Sequence, residues 1–401
     1  MGMDAIPRTR VLVALGLVAL LAVALAACGG GGSSSSGTTA EAPAEETEAP
    51  AGGAKEEGSG GGGSAEEVAA KALAVAEEHK EVTQIGPTEP IKKQIPEGKY
   101  VIYVNCGQPA CVSQGEAFEE AAKVLGWKSE TINVKLPTPE EIQAAFEEVI
   151  RKHPDGVASA GFGPALYSKQ LKKLNEMGVF VAEQTGEVES GEDGVDYDPL
   201  GPEKAAEAMG VLANKSVADA GGEGEFGAIL LTGFPIVEAY TAGWSEEIEA
   251  ICPECSVKTL EVTPESIGKS APEEITNFLR ANPGIHSVFL SYGALSSGLA
   301  AALKNAGVEI PEMYAWGIDP PGIEELQKGE LSAAAPDPYQ EVSWQSIDGM
   351  ARSFAGEKSF EQPFQEPVIW AESFGNVPTT TEPRPEVNPD YQEQFKKLWG
   401  K

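Results

Sequence analysis

Asn105, Gln108, Gln184, Thr185, Glu238, Asp319 and Asp337 carry carboxylates, amides and a hydroxyl, while Phe162, Phe234 and Tyr292 carry flat apolar faces. Together they suit the gripping of a small solute rich in hydroxyls, with a ring packed on its apolar side. Catalysis finds less support. Three histidines in the chain (His79, His153, His286) are too few for a histidine-based metal site or catalytic network. No Gly-x-Ser-x-Gly elbow, His-Glu-x-x-His pair or phosphate loop is present, and Gly161-Phe162-Gly163 lacks the third glycine of a dinucleotide loop. The expectation is a binding protein with no catalytic residue, no metal and no cofactor.

Charge narrows the partners. The 401 residues hold 29 Lys and Arg against 62 Asp and Glu, a net charge of -33. So acidic a surface repels phosphate backbones, which excludes a nucleic-acid partner. At roughly 150 residues per domain the length allows two or three domains with real cores.

The first segment reads as an address. Arg8 and Arg10 precede an apolar run over 11–27 that ends Leu25-Ala26-Ala27-Cys28. A charged start, an apolar stretch and small residues before a cut describe an export signal, with a single anchor helix as the alternative. Leu-Ala-Ala-Cys resembles the lipobox of bacterial lipoproteins, which implies that residues 1–27 are removed and that Cys28 carries the lipid. Residues 28–64, dominated by Gly, Ser, Ala, Pro and Glu, cannot bury a core and are expected to form a disordered tether. Thirty-odd residues of such chain reach about 30 Å.

Setting Cys28 aside leaves two local pairs, Cys106/Cys111 and Cys252/Cys255. Outside the cytoplasm they are expected to be disulfides. A redox site at Cys252-Pro-Glu-Cys255 is the first alternative, but the motif follows a helix instead of opening one. A four-cysteine zinc site is the second, and it would require the pairs to meet. Cys106 and Cys111 flank a loop after the first strand, where a bridge contributes about 2 kcal/mol. It either holds that loop in a binding shape or acts as a plain staple.

From Lys99 onward, β-branched runs alternate with helical patterns, the signal for parallel βαβ units. Strands are expected at Tyr100–Asn105, Gly156–Ser159, 179–183, 227–231, Ser256–Val262, 287–291 and 314–318. Ser113-x-x-Glu116 and Thr138-Pro139-x-Glu141 read as capping boxes that open helices, and Gly126 as a helix stop. A weak repeat follows. Pro139-Glu140-Glu141-Ile142 and Pro272-Glu273-Glu274-Ile275 each open a helix that ends before a proline and a strand. Pro154 precedes Gly178 by the interval that separates Pro283 from Gly307. One βαβ motif used twice implies two similar lobes, with one long doubly wound sheet as the alternative.

At this point the text resembles a type I periplasmic binding protein of the sugar-binding, ribose-binding-like group. The matching pieces are Asp155-Gly156-Val157-Ala158-Ser159, the run from Leu174 to Val181, His286-Ser287-Val288-Phe289-Leu290, the run from Ala301 to Gly307, and Trp316-Gly317-Ile318-Asp319. Their order covers roughly residues 98–375. The resemblance implies two Rossmann-like lobes of parallel sheet and flanking helices, joined by a three-crossover hinge, with a ligand trapped between them and delivered to an ABC permease. Lobe 1 is expected over 98–199 and 336–366, and lobe 2 over 200–335 and 367–376. Ligands of open parallel sheets sit at the carboxyl ends of strands, where the gripping residues above fall; Asp337 lies near a crossover. Residues 65–97, a helical extension, and 377–401, a tail, fall outside the resemblance.

Where letters differ, the family's specificity does not carry over. Thr185-Gly186 stand where the ribose-type pattern has Asp-Arg, Glu238 where it has Arg, and Tyr292-Gly293 where it has Asn-Asp; only Asp319 keeps its letter. Losing Arg and gaining Glu238 tilts the cleft toward acid. The expected ligand is a neutral sugar or polyol, or a solute bearing an amine; anions are disfavoured. The expected protein is a monomeric, lipid-anchored extracytoplasmic binding protein serving uptake, with a ligand sensor as the alternative. Trp127, Trp244, Trp344 and Trp370 read as core or interface residues, and Trp316, three residues before Asp319, as the ring placed to sense closure.

Overall fold

A computed structural model describes residues 63–401 apart from 83, 108, 136–137, 185–186, 200, 359–366 and 382–384. The expected signal segment, Cys28 and the expected tether as far as residue 62, with Gln108 and Thr185, lie outside the described residues; Ser64, expected as the tether's end, caps the first helix instead. The first sheet is built from β1 (Tyr100–Asn105), β2 (Lys128–Asn133), β3 (Gly156–Ser159) and β4 (Phe180–Glu183), all parallel in the order β2-β1-β3-β4. Apart from Tyr100 at its start, β1 is buried on both faces, as an apolar run in a parallel sheet covered by helices must be. Around it pack α2 (Pro109–Val124), α3 (Pro139–Lys152) and α4 (Ser168–Met177).

Local sequence explains the helix ends. The Thr138 hydroxyl accepts from the Glu141 N–H at 3.3 Å and Pro139 opens α3. Glu141 sends its carboxylate to the Lys135 N–H instead of back to Thr138 (3.1 Å), so only half of the expected box forms there. Ser113 does not cap a helix. α2 begins at Pro109, whose fixed φ and missing N–H suit a first turn, and Ser113 falls inside it. Gly178 and Gly307 both close helices with positive φ, of 74° and 66°, which accounts for the repeated spacing.

The second sheet runs β6 (Ser256–Val262), β5 (Glu225–Leu231), β7 (Ile285–Leu290), β8 (Glu312–Trp316), β9 (Ala333–Ala335) and β10 (Trp370–Ala371), with β10 alone antiparallel. Its helices are α5 (Pro202–Asp219), α6 (Pro235–Ile251), α7 (Ala271–Ala281), α8 (Leu299–Ala306) and α9 (Pro320–Gln327). Two separate sheets replace the single long one. α5 and α6 approach so closely that a Cβ on Gly243 would lie 2.4 Å from the Ala206 carbonyl oxygen. Gly243→Ala gains about 1 kcal/mol of helix propensity but meets backbone, where overpacking costs about 1–3 kcal/mol. A net loss in urea unfolding is expected; a stabilised variant would contradict the close approach.

Three connections join the lobes, as the resemblance implies: β4 to α5, β9 to α10 (Tyr339–Phe354), and α10 to β10. Helix α10 packs its Trp344, Ile347 and Met350 into the first lobe's core. Two further connections come from the chain ends. α1 (Ala65–Glu78) buries Ala72 and Ala76 against α5 in the second lobe. The chain then follows β10, with Ile369 N–H donating to His79 O (2.8 Å) and Asn376 Nδ2 to Lys80 O (2.7 Å). Within a few residues Ile85 enters the first lobe's core. The C-terminal segment makes the same passage. Val387 packs with the second lobe, and α11 (Tyr391–Leu398) with the first. There Trp344 and Trp399 stack 5.3 Å apart. These two straps pair with each other, Ile91 N–H donating to Leu398 O at 3.0 Å.

A buried ion pair pins the junction. Arg352 on α10 donates from Nε to Asp348 Oδ2 at 2.6 Å and from Nη2 to the Glu89 carbonyl at 2.7 Å. Trp399 Nε1 donates to Asp348 Oδ1 at 2.8 Å. Burial pushes the Asp348 carboxyl above its ordinary value, with the guanidinium pulling against it.

Candidate ligand cleft

Most of the candidate residues lie at the carboxyl ends of the two sheets. In the first lobe Asn105 ends β1, and its Oδ1 accepts from the Gly107 N–H at 2.8 Å, an Asx-type turn that shapes the loop. Cys106 at the start of that loop is bonded to Cys111 in the first turn of α2, with 5.7 Å between Cα atoms. The wall they form lies against Gly161 of the next loop, where a Cβ would meet Cys106 Sγ at 2.9 Å and φ is +82°. Phe162 turns inward and packs edge-on to Phe146 and Tyr167, so its ring belongs to the core. Gln184 is buried and engaged with α10, donating to Ser346 Oγ at 2.9 Å and accepting from Ser343 Oγ at 3.3 Å.

The second lobe presents Phe234 as the N-cap residue of α6 and Glu238, exposed, in the first turn of that helix. Tyr292 follows β7, Asp319 occupies the N-cap of α9, and Asp337 lies buried two residues before α10. Aromatic rings gather here. Trp316 at the end of β8 lies 4.3 Å from Tyr240 and 6.4 Å from Tyr292, ring centre to ring centre. The second cysteine pair, Cys252–Cys255, is bonded at the far end of α6, away from these loops.

Electrostatics tie the groups together. Burial pushes the Glu183 carboxyl well above the ordinary carboxylate value, and Asp198 and Glu187 add to this against the Ser159 hydroxyl. Glu187 is raised by burial and then by Glu238 of the other lobe. Tyr292 is pushed up to about 12 by burial, then by Asp319 and Asp337. Tyr240 is raised by burial and by Asp337 and Asp198. Each of these shifts is led by burial, with neighbouring carboxylates adding to it. Among the described residues no group of His, Cys, Asp and Glu has the arrangement of a metal site.

The profile of the periplasmic binding protein domain family matches residues 67–358. The chain belongs to that family. Membership makes it an extracytoplasmic binding protein, and the match takes in α1 and the strap after it. Solved structures of similar fold include an ABC transporter periplasmic solute-binding protein from Actinobacillus succinogenes 130z with bound D-allose (16% identity, 69% of this chain and 99% of that one, TM-score 0.59). Another, from Burkholderia graminis C4D1M in complex with D-arabinose, is 15% identical over 72% of this chain and 100% of that one, TM-score 0.60. A third, from Agrobacterium vitis with bound allitol, is 16% identical over 70% and 98%, TM-score 0.58. No curated protein matches the chain.

In this periplasmic binding protein the structure adds groups that sequence reasoning passed over. Tyr240 stands one helical turn into α6, where its spacing reads as core, and Glu187 sits in a loop whose text is acidic throughout. Glu183, by contrast, was within reach of the strand pattern, which puts it with Gln184 and Thr185 at the carboxyl end of β4. A surface depression of about 740 Å³ lies beside α4, lined by Leu171, Lys172 and Asn175; it touches the cleft groups only at Glu187. Among the described residues no helix is long and apolar enough to cross a membrane.

Proposed function

We propose that this protein is a solute-binding lipoprotein that closes its two lobes on a small polar ligand, a sugar or polyol, and delivers it to an ABC permease. The observation that carries this reading is the gathering of hydrogen-bonding and aromatic side chains from both lobes at the carboxyl ends of two parallel sheets. Asn105, Gln184, Glu238, Tyr292, Asp319 and Asp337 stand at these ends, Gln108 and Thr185 belong to the same loops, and Phe162 and Phe234 support them from behind. D-allose, D-arabinose and allitol in the structural neighbours agree with it. A lipid on Cys28 would hold the protein at the membrane, two disulfides would brace it, and a single copy would suffice. The role is capture, with no chemical step.

Closure is stabilised by contacts that exist only when both lobes touch the ligand. A thermal-shift screen of pentoses, hexoses and polyols tests the reading. A ligand at a hundredfold excess over Kd adds about 2.7 kcal/mol, so a hit raises the midpoint visibly. No hit among sugars and polyols would remove the proposed ligand class. Asp319→Ala is expected to weaken binding of such a hit by more than tenfold while leaving the ligand-free midpoint nearly unchanged. Unaltered affinity in calorimetry would take Asp319 out of the site.

A further inference from the structure

Four passages between the lobes stand side by side at one edge of the second sheet. β9 leads into α10 and pairs with the returning β10 through Trp370 and Ala334. The first strap lies beside β10. There His79 Nδ1 stands 2.9 Å from the Pro367 carbonyl, and Asn376 Nδ2 donates to both Lys80 O and Ile369 O at 2.7 Å. The second strap lies beside the first, Gln394 Oε1 accepting from the Ile85 N–H at 3.1 Å. It runs beyond the residues that the family profile matches.

Both straps are short where they cross. Val82 packs with the second lobe's core and Ile85, three residues on, with the first's. Val387 and Tyr391 repeat the step four residues apart. A trans chain spans at most about 3.6 Å per residue, so the anchored points can part by no more than about 11 and 14 Å. Both ends are held. On the first lobe Arg352 Nη2 donates to the Glu89 carbonyl at 2.7 Å, and Trp399 Nε1 donates to Asp348 Oδ1 at 2.8 Å. On the second lobe α1 sits so closely that a Cβ on Gly222 would lie 2.0 Å from the Ala65 carbonyl oxygen, while Gln327 Nε2 of α9 donates to Pro378 O at 2.7 Å. Two bodies joined at one point turn about any axis through it. Joined along a line, they turn only about that line, and the band of passages supplies one.

We infer that the two straps confine the lobes to one narrow bending motion about this band, so that they keep near one separation without a ligand. Lobes already confined lose less freedom when a solute joins them, which favours tight capture. The inference concerns the lobes whatever they bind, and its test uses no ligand. Spin labels on Lys172→Cys in α4 and Lys304→Cys in α8, both exposed, report the distance between lobes by double electron–electron resonance in the full chain carrying Cys28→Ser. Lys172→Cys with Glu140→Cys, on α3, reports within the first lobe. The parent's between-lobe distribution is expected to be as narrow as its within-lobe one. Six Gly-Ser residues inserted after Gln84, and six after Val387, are expected to broaden the first at least twofold and leave the second alone. A parent distribution already broad overturns the inference, and so do lengthened straps that change nothing. Should the double insertion disturb the lobe itself, seen as broadening of the within-lobe pair, the single insertion after Gln84 takes its place. Broadening confined to the between-lobe pair is then the expected reading, and none overturns the inference.

Discussion

Asp348→Ala should lower the unfolding midpoint by about 10 °C, the largest single loss expected in this molecule. Removing one partner of a buried pair leaves the other charged and unsolvated, at a cost of about 3–5 kcal/mol. At roughly 2–4 °C per kcal/mol for a protein well above 150 residues, that gives the stated shift. The orphaned group would be Arg352, fully buried, with only the Glu89 carbonyl left to it, and Trp399 Nε1 would lose its acceptor too. Replacing both charges, as Asp348→Leu/Arg352→Met, should recover much of the loss, because the penalty lies in the unpaired charge. A single variant within about 1 kcal/mol of the parent would show that the pair is not held as described.

Glu183→Gln should stabilise the ligand-free protein at pH 8 and change it little near pH 4.5. Burial raises the folded-state affinity of Glu183 for its proton. Above the ordinary carboxylate value the folded chain therefore binds more protons than the unfolded one. Stability must then fall as pH climbs from there toward the raised folded value. Each unit of that shift is worth about 1.4 kcal/mol, and the carboxamide, which has no proton to lose, escapes it. Ser159 can still donate to the remaining oxygen, now at 2.9 Å from Oε1. Glu341, Glu187, Asp196 and Glu325 are raised for the same reason, so the variant keeps a shallower slope of the same sign. Glu130 and Asp155, lowered by their partners, act only below the window. Parallel melting curves from pH 4.5 to 8 read the difference; curves that never separate would mean that Glu183 ionises freely.

Much of the architecture was legible because apolar runs and caps are local signals. The strands β1, β3 and β6 fall where the pattern puts them. Three strands left no such trace. β2 reads Lys-Ser-Glu-Thr-Ile-Asn because it is an edge strand with little buried face, β9 is three alanines, and β10 is two residues long. Helix α2 misled because Ser113-x-x-Glu116 has the letters of a box inside a helix that Pro109 already opens. The cleft was legible as positions but less so as roles. Phe162 has the right letter and place, yet its ring joins Phe146 and Tyr167, a decision made by tertiary packing. Tyr240 and Trp316 meet only because β8 and α6 converge, which no local pattern records.

The paired straps have a consequence for how the chain is made. Ile85 N–H bonds to Gln394, 309 positions away, and the Arg352 guanidinium bonds to the Glu89 carbonyl, 263 positions away. Contacts so distant along the chain are the slowest to close. The first lobe, although its β1 comes early in the chain, cannot finish its core until Phe395 and Trp399 have joined it. The second lobe, whose six strands end at Ala371, needs only the chain as far as Val387. The lobe that begins first along the chain is therefore the one whose core closes on the last residues.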